Sequence, residues 1–339
     1  MVFSYLWPDY DNMHKTKIKL LYLLTLTLLL ASCAKDNRVK TLKLGHSNDA
    51  SHPVHIAMTY MGERLEALSG GAMRMDVYPS SILGNERECI ELLQIGSLAM
   101  TKASASNLEG FAPAFRVVGL PYIFRDREHQ FKALDSDIGE DLRLKTQKFW
   151  LRGLAFYDAG SRSFYTIDKP VRTPDDLKGL KIRVMTSNTA MNMVKAFGGS
   201  PTPIAFAELY TALQQGVVDG AENNAPSIFF QKHHEVCKFY TINEHTAVPD
   251  VLLMSTVVWN SLSDQEKEWV QQAADESAIF QREVWAKSEK ETLDGIKAAG
   301  VEIIYPDKAP FAEKVEFILE EYKDNEEAWD LIQRIKAVK

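Results

Sequence analysis

Arg183 stands inside Lys181-Ile182-Arg183-Val184-Met185, a run whose apolar neighbours predict a strand. A guanidinium is a planar fork that matches a carboxylate through two parallel hydrogen bonds. A second arginine, Arg162, lies in Asp158-Ala159-Gly160-Ser161-Arg162-Ser163-Phe164-Tyr165, where one series of strands gives way to another. Such residues suit the capture of an organic acid. Arg183 also has a plainer reading, as a solvated strand-face residue paired to Asp175 or Asp176. Asn223 and Asn224 end the stretch Asp219-Gly220-Ala221-Glu222-Asn223-Asn224. Each amide offers a donor and an acceptor, so the pair can read hydroxyls. Asp-Gly and Asn-Asn equally favour a turn. His46 and Glu86 sit where a strand passes into a helix, the end of an α/β sheet at which ligands gather. Otherwise Glu86 is a helix N-terminal carboxylate and His46 a loop histidine.

Other chemistries find no pattern. There is no Gly-rich phosphate loop, no Gly-x-Ser-x-Gly elbow, no His-Glu-x-x-His and no Cys-x-x-Cys. His46, His52 and His55 cluster and His233-His234 are adjacent, but the spacing matches no metal site. No metal, no cofactor and no catalysis are therefore expected. A net charge of −7 without any basic run argues against nucleic acid as a partner. It leaves room for an anionic ligand, since buried arginines dominate a local cleft.

These residues need a scaffold, and 339 residues suffice for two domains. Residues 1–33 stand apart from it. A basic stretch, Met13 to Lys19, precedes an apolar run, Leu20 to Leu30, too short to span a bilayer comfortably. This is an export signal. Residues 1–12 fit no signal peptide, so the start is expected at Met13. Leu30-Ala31-Ser32-Cys33 resembles a bacterial lipobox, which implies a lipid on Cys33 and a periplasmic or cell-surface protein anchored to a membrane. Cys89 and Cys237 remain, in mixed apolar surroundings, and read as two separate buried thiols.

After a polar tether over 34–40, strands and helices alternate. Strands are predicted at Thr41–Gly45, Met73–Tyr78, Leu154–Tyr157, Ser163–Ile167, Lys181–Met185 and Val217-Val218. Helices are predicted at 54–68, 86–95, 187–197 and 207–215. The alternation points to α/β layers with a largely parallel sheet. Ser263-Asp264-Gln265-Glu266 is a capping box. It opens a helix that runs to about Ala299 with an interruption at Gly295, long enough to lie across two domains. Phe311 to Val338 reads as a charged, helical surface element. No linker separates the halves, so the chain is expected to cross between domains several times.

The chain resembles the substrate-binding proteins of tripartite ATP-independent periplasmic (TRAP) transporters, the DctP family. The stretches that carry the resemblance are Leu44-Gly45-His46, Tyr78 to Gly84 (YPSSILG), Gly119 to Phe124 (GLPYIF), Leu177 to Val184 (LKGLKIRV) and Glu208 to Asn223 (ELYTALQQGVVDGAEN). The match runs from Leu42 to about Tyr305. It implies two α/β domains in a Venus-flytrap arrangement, with mixed sheets and a long domain-bridging helix. The division expected is 34–160 plus 249–288 against 161–248 plus 289–339. It also implies a monomer that closes on its ligand and delivers it to TRAP permease membrane subunits. By the resemblance Arg183 clamps a substrate carboxylate, Asn223 and Arg162 join it, and the segment Phe206 to Tyr210 lines the pocket. The set His46, Glu86, Lys102, Arg162, Arg183, Asn223 and Asn224 looks like that of hexuronate-binding members. His245 and Asp250 add hydroxyl contacts. A uronate has one carboxylate and several hydroxyls, which one clamp and many polar readers would suit. Another organic acid (an aldonate, a C4-dicarboxylate or sialic acid), or a surface enzyme acting on uronates through Glu86 and His46, are the alternatives.

Overall fold

The computed structural model describes residues 39–339. The expected export signal, with Cys33, lies outside the described residues. The first series of elements is β1 (Lys40–Gly45), α1 (Pro53–Leu68), β2 (Met73–Tyr78), α2 (Glu86–Gln94), β3 (Met100–Ser104), α3 (Ala105–Leu108), α4 (Arg127–Leu134), α5 (Asp137–Lys145) and β4 (Leu151–Tyr157). A second series follows: β5 (Arg162–Thr166), β6 (Lys181–Val184), α6 (Asn188–Ala196), β7 (Ser200–Pro203), α7 (Leu209–Gln214), β8 (Gly220–Asn223), α8 (Ala225–Phe230) and β9 (Phe239–Thr246). The chain ends with β10 (Asp250–Ser255), α9 (Thr256–Asn260), α10 (Asp264–Ala298), β11 (Glu302–Ile304), α11 (Ala309–Glu320) and α12 (Glu326–Ala337).

Two sheets result, ordered β2-β1-β3-β10-β4 and β11-β9-β5-β8-β6-β7. Both are mixed, where the alternation of strands and helices predicts mostly parallel pairing. The reason is one strand in each. β10 returns to the first sheet and runs antiparallel between β3 and β4. β5 runs antiparallel between β8 and β9. β6 keeps the parallel arrangement with β7 and β8.

Local chemistry fixes the helix starts that face the site. The His52 side chain accepts from Val54 N at the start of α1, where Pro53 loses no helical hydrogen bond. Val54, Ala57, Met58, Met61 and Leu65 then form the buried stripe of α1. Asn85 and Glu88 cap α2 reciprocally. Asn224 caps α8 by accepting from Ser227 N.

α10 is one uninterrupted helix of 35 residues, roughly 52 Å at 1.5 Å per residue. Gly295 does not break it. A Cβ there would lie 2.5 Å from the Phe229 ring, so the glycine admits a close approach of α8. Further along, Gln281 holds the backbone of Asp158 with both ends of its amide, and the Tyr157 hydroxyl meets Ser277 at 2.7 Å. α10 thus touches the end of β4 and, fourteen residues later, α8.

Three further expectations change. Val217-Val218 is a bend with Val217 exposed, and the strand begins at Gly220. Asp219 turns the chain there by accepting from Lys181 N at 2.7 Å. Gly220 then passes so close to β5 that a Cβ would meet the Tyr165 carbonyl oxygen at 2.4 Å. The helix expected at 207–215 is a short 3-10 turn, Phe206–Glu208, leading into α7. The C-terminal segment is helical, as two helices, α11 and α12, with Asn325 capping the second. It is not merely surface: Phe311, Val315, Ile318, Leu331, Ile332 and Ile335 are buried in the core. Cys89 and Cys237 are buried and unpaired.

Candidate ligand-binding site

A cavity lies where the C-terminal ends of β3, β6 and β8 meet the loop before α1 and the middle of α10. It is lined by Asn48, His52, Glu86, Lys102, Ser104, Asn107, Ala159, Arg162, Arg183, Met185, Phe206, Asn223, Asn224, Ser227, Val248, Asp250 and Trp285. Eight of the residues singled out from the sequence are among them.

Arg183 is the third residue of β6, opposite Thr202 of β7 and Ala221 of β8. It is 2% exposed, which rules out a solvated strand face. The aspartates offered as partners are engaged elsewhere: Asp175 with Lys178, and Asp176 in the turn at Thr173. Nε of Arg183 donates to the Ile204 carbonyl at 2.9 Å, and the Phe206 ring centroid lies 5.7 Å from Cζ. Nη1 is buried without a partner. Burial lowers the pKa of this guanidinium. Among the described residues lining the cavity, it is the one arginine or lysine not ion-paired to a carboxylate.

Arg162, at the start of β5, is spoken for. Nε and Nη2 grip Glu222 at 2.5 and 2.9 Å, Nη2 also reaches the Glu222 carbonyl, and Nη1 donates to Asn223 Oδ1 at 2.8 Å. Burial alone would raise the Glu222 pKa, but the guanidinium overrides it and holds the carboxyl at about 2. Arg162 and Glu222 therefore form a buried neutral pair that orients Asn223.

The opposite wall carries a second charged cluster. Lys102, on β3, donates to Glu86 Oε1 at 2.7 Å and to Asp250 at 3.3 Å. Glu86 Oε2 accepts from Ser104 N and Asn107 Nδ2. These donors outweigh the burial of Glu86 and keep its pKa low. Asp250 has Lys102 alone, so burial, reinforced by the Glu86 charge, lifts it to about 6. Asn224 is mainly a capping residue. Its Nδ2 donates to the Ala159 carbonyl and its Oδ1 accepts from Ser227 N.

Three expected contacts do not line the cavity. His46 is turned toward α1, with Nε2 2.9 Å from His55 Nδ1, and its own Nδ1 accepts from Asn48 N. His245 is wholly buried behind Glu222, stacked on Phe164, with Nε2 3.5 Å from the carboxylate. Tyr210 faces away, its hydroxyl donating to Glu235. In their place stand Asn48, His52, Asn107, Ser227 and Trp285. Asn48 and His52 share the strand-to-helix loop that drew attention to His46. Ser227 and Asn107 follow a strand end by three or four residues. Trp285 gives no signal beyond being a large apolar residue in a charged helix.

A comparison with known proteins fits this arrangement. A Salmonella typhimurium LT2 protein, YiiZ, is 37% identical over 94% of this chain and 97% of its own. A solute-binding protein of Bradyrhizobium sp. BTAi1, solved in complex with α/β-D-galacturonate, is 38% identical with a TM-score of 0.85, covering 87% of this chain and 99% of that one. One from Pseudomonas putida F1, solved with bound D-glucuronate, is 36% identical with a TM-score of 0.85, over 88% and 97%. The family model for bacterial extracellular solute-binding proteins of family 7, DctP, matches residues 44–325. The fold, the buried Arg183 without a carboxylate partner and these matches agree, and the chain belongs to the DctP family of extracellular solute-binding proteins that serve TRAP transporters.

Proposed function

We propose that the cavity binds a hexuronate, its carboxylate on Arg183 and its hydroxyls read by Asn223, Asn107 and the Lys102–Glu86–Asp250 cluster. The observation that carries this reading is the unpartnered Nη1 of Arg183, on a cation without a carboxylate among cations that have one. One unsatisfied cation suits one carboxylate, whereas a dicarboxylate would want a second. The likeness to proteins solved with galacturonate and glucuronate supports the same class of ligand.

The protein would hand its ligand to TRAP membrane subunits unchanged. Lobes 34–160 plus 249–288 and 161–248 plus 289–339 would close around the ligand, a reading supported by the way the strands divide between the two sheets. Anchorage through a lipid on Cys33 rests on Leu30-Ala31-Ser32-Cys33. Radiolabelled palmitate incorporated by the wild-type chain and by Cys33→Ser alike would dismiss it.

Isothermal titration against galacturonate, glucuronate, a C4-dicarboxylate, an aldonate and sialic acid tests the ligand class. Micromolar or tighter binding, about 8 kcal/mol, is expected for a hexuronate. Tighter binding of the dicarboxylate or sialic acid would overturn the assignment, and conversion of the uronate during incubation would make the protein an enzyme.

A further inference from the structure

Much of the charge and capping chemistry that lines the cavity is already engaged by protein. Glu86, Lys102, Arg162 and Asn224 are tied as described above. Three buried lining atoms have no hydrogen-bond partner: Arg183 Nη1, Asn48 Oδ1 and Trp285 Nε1. The indole N–H is directed at Glu289 on its own helix. Of these three, two stand free for a ligand, one cationic donor and one neutral amide acceptor.

We propose that Asn48 is a specificity-determining residue whose Oδ1 accepts a hydrogen bond from one hydroxyl of the bound sugar acid, with His46 and His55 as the positioning pair that holds it. The proposal rests on the sugar-acid reading of the cavity. Asn48 is 4% exposed, so its amide oxygen has little water to turn to. A ligand atom facing it must be a donor. A hydroxyl satisfies it, whereas a keto oxygen repels it and a deoxy carbon leaves it unpaired. Sites of this kind reject the analogue that lacks the donor far better than apolar pockets reject a missing methylene.

The loop that carries Asn48 is held at both backbone groups. Its N–H donates to His46 Nδ1 at 3.2 Å, and its carbonyl accepts from Ser80 N at 2.9 Å. Ser81 N donates in turn to the His46 carbonyl. Ser80 and Ser81 adopt left-handed φ values of 55° and 58° to deliver these bonds. The acceptor role of His46 Nδ1 fixes its proton on Nε2, which donates to His55 Nδ1 at 2.9 Å. The His55 proton then lies on Nε2, toward Thr59 Oγ1 at 3.4 Å. His46 acts on the ligand one residue removed.

The test is a cycle between side chain and hydroxyl. Wild type, Asn48→Ala, Asn48→Leu and His46→Ala are titrated with D-galacturonate and with each of its monodeoxy derivatives, and melting curves check folding. Both Asn48 variants are expected to weaken galacturonate binding roughly 10- to 100-fold. For one monodeoxy derivative they bind as wild type does, and His46→Ala loses less, through the same hydroxyl. Affinity for galacturonate within threefold of wild type in a folded Asn48 variant overturns the proposal. So does an equal loss for every derivative, which would mark a merely structural role. If wild type binds an aldonate and no hexuronate, the hexuronate reading falls and the same cycle with the aldonate and its deoxy forms decides Asn48 alone. If wild type binds no sugar acid, both fall.

Discussion

Arg183→Met should move ligand binding and stability in opposite directions. Methionine keeps the length of the side chain and removes the charge. The ligand-free protein loses one bond to the Ile204 carbonyl, worth about 1 kcal/mol. It also sheds a guanidinium that is 2% exposed and has no carboxylate partner, a burial that costs several kcal/mol. The balance is a gain of about 2 kcal/mol, a rise of roughly 3 °C in Tm for a chain of this size. Binding loses a charge-assisted contact with the carboxylate worth about 3 kcal/mol, or roughly 150-fold. Scanning calorimetry with and without galacturonate reads both effects. At one hundred times the wild-type Kd the ligand stabilises the wild type by about 2.7 kcal/mol, and the same concentration should give the variant only about 0.3 kcal/mol. A ligand-free Tm several degrees below wild type would show that Arg183 is a structural cation. An undiminished ligand shift would remove it from the carboxylate clamp.

Glu222→Gln leaves the Arg162 guanidinium buried without its counter-ion, and urea unfolding should register a loss of about 3–5 kcal/mol; a loss under 1 kcal/mol would contradict the pairing. Asp250 and Glu222 should give opposite pH dependences. With its pKa raised to about 6, Asp250 holds its proton longer in the folded state, so the stability it contributes is present at low pH and fades as pH rises through 6. Glu222, held at about 2, contributes stability above the usual carboxylate range that is lost as pH falls toward 2. An anionic ligand favours protonated Asp250. Titration at pH 6–7 in buffers of different ionisation enthalpy should therefore show proton uptake on binding, absent in Asp250→Asn; equal uptake in that variant would exclude Asp250 as its source. Gly295→Ala improves helix propensity by about 1 kcal/mol yet forces the Phe229 ring aside, for a net loss of about 1–2 kcal/mol in thermal unfolding. A more stable variant would show that the close approach is not needed.

The strands and helices near the site were legible because their signals are local. Apolar alternation marked β2, apolar neighbours marked β6, and a capping box marked the start of α10. What escaped was decided by distant neighbours. Nothing near residue 250 announces that β10 will insert between β3 and β4, and nothing in β5 reveals its antiparallel partners. Gly295 reads as a helix breaker until Phe229 is known to lie against it. The same division runs through the site. Arg183 and Glu86 stand at positions that sequence marks by themselves. His46 and Asn48 lie two residues apart on one loop, and only packing against His55 turns the histidine away. Asp219-Gly220 favours a turn on its own chemistry, but pairing with Ser163 and Phe164 draws Glu222 and Asn223 into a strand.

The return of β10 has a consequence for the order in which the chain can acquire structure. β4 pairs with no other strand of its sheet, and Lys102 of β3 faces Leu252 across 150 positions of sequence. Until residues 250–255 are in place, the first sheet is a three-stranded fragment with an open edge at β3, and β4 is unattached. A fragment ending near residue 160 would therefore aggregate rather than fold, and the complete chain must bring its last third back before its first third is stable. Contacts of such long separation slow folding. A slow-folding chain stays unstructured longer, which is the state an exported polypeptide needs while it is still threading across a membrane.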